Sequence, residues 1–97
     1  MTDDERARAV ADEGRRLREL RTTVDLAAAV LAQGGLTPTE AEDLVAATRR
    51  RALALFPDKG ATYDLILAPR FARLIDEYVT PRAQARVLPF PRSGARS

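Results

Sequence analysis

Gly34-Gly35-Leu36-Thr37-Pro38-Thr39-Glu40-Ala41 is the stretch on which the fold turns. Paired glycines accept a left-handed cap cheaply, so they stop a helix. The next helix starts almost at once. Thr37 is an N-cap residue, Pro38 suits the first helical position, and Glu40 stands at the capping-box distance from Thr37. Leu36, just before the cap, is placed to staple onto Ala41. A stop and a start joined by so short a link make the flanking helices antiparallel neighbours.

Upstream, Val10, Leu17, Leu20, Val24, Ala27 and Leu31 recur at spacings of 7, 3, 4, 3 and 4. That is a heptad seam on a helix from about Asp3 to Gln33, with Asp3, Arg6 and Glu13 in its early positions. Asp3, Asp4 and Glu5 suit the positive end of the helix dipole. Asp4 with Arg8 and Asp12 with Arg16 are acid-first pairs one turn apart.

Downstream, Ala41, Leu44, Val45, Thr48, Ala52, Leu55 and Phe56 share one face of a second helix, with Arg50 opposite. Pro57-Asp58-Lys59-Gly60 ends that helix. A third segment, about Ala61 to Val79, carries Tyr63, Leu67, Phe71, Leu74 and Tyr78 at spacings of 4, 4, 3 and 4. These read as one core stripe rather than as a platform for stacking bases. Pro69 lacks a donor and disfavours helix at Ala68, so a kink or a split into 61–67 and 69–79 is expected. Leu65, Ile66, Ile75 and Val79 lie off the stripe, so the segment should touch more than one neighbour. The expected fold is all-α. A long helical hairpin and a third, Pro-interrupted helix form a small three-helix bundle over residues 1–80, and 81–97 make a Pro/Arg-rich extended or disordered tail.

Helix lengths add one constraint. At the α-helical rise the first segment spans roughly 46 Å and the second roughly 28 Å, leaving roughly 18 Å of the first unaccompanied. That remainder runs from Asp3 to about Gly14, where the seam changes from charged to apolar. Leu17, Leu20 and Val24 then need a cover, and a four-helix dimer would supply one, so they are the expected oligomer seam.

Composition narrows the chemistry. The 97 residues include no Cys and no His, and the only serines are Ser93 and Ser97 in the tail. The commonest general base, the commonest metal ligand and the thiolate nucleophile are therefore missing. Glu40, Glu42, Asp43, Asp58, Asp64 and Asp76 lack the histidines of a carboxylate di-iron bundle and read as caps and solubilising charges. No catalysis, cofactor or metal is expected. The N-terminus is charged, and the longest apolar run, Leu26–Ala32, is far too short to cross a membrane. A soluble, cytoplasmic protein is the expectation.

Charge is unevenly placed. The chain has 16 basic and 14 acidic residues, and four of the basic ones, Arg82, Arg86, Arg92 and Arg96, follow residue 79. Residues 1–79 are therefore slightly acidic. Fifteen arginines against the single Lys59 mark a compositional bias that lowers the weight of any one Arg cluster. Arg49-Arg50-Arg51 reads as a solvated face on a helix that also carries acids, with phosphate contact as the alternative. Gly34–Pro38 lacks the glycine spacing and the Lys-Ser/Thr of a phosphate loop. Within the tail, Leu88, Pro89, Phe90, Pro91 and Arg92 form an apolar, proline-stiffened motif suited to a partner's groove or to folding back on the helices.

The function expected from these features is a non-catalytic protein–protein interaction module, a small adaptor or accessory regulator, possessing a protein partner and able to form a homodimer. The alternatives are a nucleic-acid-binding regulator using Arg49, Arg50, Arg51 and the tail, or a small structural subunit of a larger enzyme. The capping box carries the first prediction. Pro38→Gly combined with Thr37→Ala should lower stability by about 1–2 kcal/mol in urea melts. An unchanged midpoint would place the start of the second helix elsewhere.

Overall fold

The computed structural model describes residues 2–87, with side chains through Gln84. Helix α1 spans Asp3–Gln33, α2 Pro38–Leu55 and α3 Gly60–Leu74. A π-helical turn, Ile75–Val79, then leads into α4, Thr80–Val87, so the chain stays helical from Gly60 to Val87. Among the described residues there is no strand. The architecture is the expected all-α bundle: the α1–α2 hairpin with a third helical rod against it.

The hairpin forms for the reasons its link suggested. The Thr37 hydroxyl accepts the Glu40 N–H at 3.1 Å, and the Glu40 carboxylate accepts the Thr37 N–H at 2.9 Å. Thr2 and Glu5 make the same reciprocal pair at the start of α1, which holds the Glu5 carboxyl below its ordinary pKa. Gly34 closes α1 in the left-handed region at φ 73°, its N–H donating to the Leu31 carbonyl at 3.1 Å. A Cβ at Gly34 would lie 3.1 Å from the Tyr78 carbonyl oxygen, so the π-turn packs directly on this cap.

The core comes from one stripe per helix. Val24, Ala27 and Leu31 of α1 cluster with Ala41 and Ala52 of α2, Tyr63 and Phe71 of α3, and Val79 of the π-turn, and Leu55 of α2 is buried as well. Phe71, Leu31 and Val79 are its largest fully buried side chains. Thr48, the buried polar residue here, donates its hydroxyl to the Leu44 carbonyl at 2.7 Å, which satisfies it inside its own helix.

Two breaks expected in the third helix are absent. Pro69 does not divide it, because α3 runs unbroken through that residue. The ring removes one hydrogen bond to the Leu65 carbonyl, but Pro69 and Leu65 are both exposed, so solvent can take the freed acceptor. Nor does helix end at Thr80-Pro81. Pro81 lacks the N–H that would bond Glu77, and its ring crowds that carbonyl. The turn just before it widens instead, with the Thr80 N–H donating to the Ile75 carbonyl five residues back.

That widening corrects the core assignment. In an unbroken α-helix Tyr78 would lie within about 20° of Phe71, and Val79 about 80° away. The extra residue in the π-turn moves the register on by one. Val79 is fully buried, while Tyr78, expected in the core, is 42% exposed. The pair therefore reports the register. Val79→Ala should lower stability by about 2 kcal/mol, and Tyr78→Ala by less than about 1 kcal/mol, in parallel denaturant melts. The reverse order would mean a regular helix through this region.

Candidate functional site

The described residues leave the core incomplete at one end, where α2 turns into α3. α2 stops at Leu55, and Phe56 leaves the helix with φ −136°. The Arg16 guanidinium sits 5.3 Å from the centre of the Phe56 ring, and Arg51 is paired with Glu19 on α1. These contacts tie α1 to α2 near the α2–α3 turn. Residues 2–13 are all exposed, as the length mismatch required.

At that level an apolar cleft of about 380 Å³ opens between α1, the α2–α3 turn and α3. Leu17 and Leu20 form one wall, Leu53 and Phe56 a second, and Tyr63, Ile66 and Leu67 a third, with Glu13 and Lys59 also lining it. Its volume lies within the range of binding pockets. Leu17 is 51% exposed and Ile66 61%, so two large aliphatic side chains stand uncovered at its mouth. Tyr63 is buried beside Phe71, their ring centres 6.5 Å apart. Its hydroxyl finds no hydrogen-bond partner among the described residues, and burial pushes its pKa above the ordinary value. The cleft offers mostly apolar surface, with Glu13, Lys59 and Thr62 as its polar lining. Docking of apolar side chains is the chemistry it supports.

The seam named from the heptad divides along its length. Val24 is buried within the chain, Leu20 packs partly against the core, and Leu17 remains half exposed. Val10, one heptad earlier, is 67% exposed and extends the uncovered strip away from the bundle. The arginine triplet divides too. Arg49 donates from Nε and Nη2 to the two Asp64 carboxylate oxygens at 2.9 and 3.0 Å, a bidentate pair that holds the Asp64 carboxyl below its ordinary pKa. Arg51 is taken by Glu19, and Arg50 alone is exposed without an ion-pair partner among the described residues. Leu88, Pro89, Phe90, Pro91 and Arg92 lie outside the described residues.

Ile66 and Lys59 were not singled out as site residues from sequence. Ile66 did show a signal, because it falls off the α3 core stripe. A second, shallower groove of about 280 Å³ lies between α1 and α2, lined by Thr23, Leu26, Val30, Leu44 and Ala47 among others. Among the described residues, no group of three acidic residues is placed to hold a metal ion, and no helix is long and apolar enough to cross a membrane. No protein-family model matches the chain, and no curated protein and no solved structure matches it.

The buried phenol has a pH consequence. The folded state keeps Tyr63 protonated above its ordinary pKa, whereas the unfolded chain ionises near pH 10. Stability from this group is whole below pH 10 and falls as pH rises towards the folded-state pKa. Tyr63→Phe should leave stability at pH 7 unchanged or slightly raised, since it removes an unpaired buried hydroxyl. It should also flatten the alkaline decline in melts between pH 9 and 11. A loss of more than about 1 kcal/mol at pH 7 would show that the hydroxyl has a partner.

Proposed function

We propose that this chain is a non-catalytic protein–protein interaction module, an adaptor or accessory regulator, working in the cytoplasm. Its contact surface is the cleft together with the uncovered face of α1. The observation that carries this is the pair of half-exposed aliphatic side chains, Leu17 and Ile66, flanking an apolar cleft. Large apolar groups around a concave site are what a partner's anchor residues fill, and they are out of place on a surface with no partner. The nucleic-acid alternative is weakened because Arg49 and Arg51 already spend their charge on carboxylates of neighbouring helices.

Affinity capture from the cells of origin, at low and high salt, tests this. Wild type should retain a protein partner in high salt, because apolar docking responds little to ionic strength. Leu17→Glu with Ile66→Glu should release that partner while the helical circular dichroism is unchanged. Capture that disappears in salt and brings down nucleic acid would favour the alternative instead.

A further inference from the structure

We infer that the partner of the α1 arm is a second copy of this chain, paired antiparallel over residues 3–20. The inference rests on the interaction-module reading and names its occupant. The arm is a helix whose seam, Asp3, Arg6, Val10, Glu13, Leu17 and Leu20, continues the heptad of the core but is exposed at every position below Gly14. Among the described residues, Arg6 and Glu13 belong to no ion pair, and on one straight helix they stand about 10 Å apart, too far to meet.

Charge decides the direction. Parallel copies would set Arg6 against Arg6 and Glu13 against Glu13, like charge facing like in the seam. In the antiparallel pairing, seam layers form between residues whose numbers sum to 23: Val10 with Glu13, Arg6 with Leu17, Asp3 with Leu20. Each Arg6 then lies one layer from the Glu13 of the other copy, twice by symmetry. The acidic first turn, Asp3, Asp4 and Glu5, runs beside Arg16, Arg18 and Arg21 of the other copy. Arg6 also lays its aliphatic stem across the other copy's Leu17 at the mouth of the cleft.

Cover from the same molecule's Leu88 and Phe90 is out of reach. α4 begins at the Gly34 end, where Arg82 adjoins that glycine, whereas the cleft is at the α2–α3 turn. The length of α2, about 27 Å, separates the two ends. Leu88 and Phe90 follow Val87 by one and three residues, about 10 Å of chain at most.

Sedimentation equilibrium of the full chain, from about 10 μM to about 1 mM, reads the association, which should be weak for so short a contact. The mass should climb from one chain towards two. Leu17→Glu, Arg6→Glu alone and Glu13→Arg alone should each weaken the dimer about tenfold or more. Arg6→Glu combined with Glu13→Arg should restore it, which parallel pairing would not do. All these positions are exposed, so circular dichroism should show the bundle intact. Because the chain has no Cys, Asp4→Cys takes a single spin label, and labels on the two copies should lie about 22 Å apart. A monomer throughout, a double variant no better than the singles, or labels in close contact would overturn the inference. So would dissociation by Leu88→Asp with Phe90→Asp, which would make the other copy's tail the occupant. A wild type that stays monomeric yet captures a salt-resistant partner overturns self-pairing alone, so the two readings fail separately.

Discussion

The bundle depends on burying Phe71, Leu31 and Val79 in one core. Phe71 and Val79 are on the same rod, eight residues apart, which in a regular α-helix would leave Val79 about 80° round from Phe71. The π-turn resolves this by taking in one more residue, and Pro81 sets where it can occur, since the ring already forbids regular hydrogen bonding to the turn before it. Gly34 belongs to the same arrangement. Its left-handed cap and missing side chain allow the Tyr78 carbonyl to come within contact of the α1 terminus. A side chain there would strain the cap and push the rod away from Leu31 in one step.

Around this core the charges hold helices in register more than they stabilise them. Arg49 with Asp64 ties α2 to α3, and Arg51 with Glu19 ties α2 to α1. Both pairs are about half exposed, where screening by water leaves ion pairs worth little. Their larger effect is on the surface field, because they neutralise two of three adjacent arginines. The apolar balance is also uneven. The Gly34 end is closed by the π-turn, whereas the opposite end is left with Leu17, Ile66 and the cleft between them.

Much of this was legible in the residues, and the exceptions have physical causes. The capping box, the glycine stop and the heptad spacing are local signals, and each maps directly onto an element boundary or a buried face. The length difference between α1 and α2 follows from counting residues, which is why the uncovered arm could be placed before any contact was known. Pro69 and Pro81 could not be told apart in the same way. Both forbid the same kind of hydrogen bond, and both affected carbonyls, on Leu65 and Glu77, belong to exposed residues; what separates them is that the turn before Pro81 carries Val79, which the core buries. Tyr78 was misassigned for a related reason, since periodicity presumes a constant rise and a single widened turn defeats it. Of the cleft, Leu17 was visible as a seam residue. Leu20 was too, and Phe56, Tyr63 and Leu67 were visible as core-face residues, but their convergence on one cleft was not, because the walls come from three elements and no single one carries the pattern.

The sequence by itself determined where helices start and stop, which residues face inward over α1 and α2, and that the conventional catalytic and metal-binding side chains are scarce. These are properties of the local chain, set by backbone sterics, capping hydrogen bonds and periodic apolarity. Only the tertiary structure decided the register of the third helix, the pairing of Arg49 and Arg51, and the opening of a cleft between Leu17 and Ile66. Each of these depends on which surfaces remain after helices of unequal length have packed, and that is a property of the assembled bundle and of no one segment.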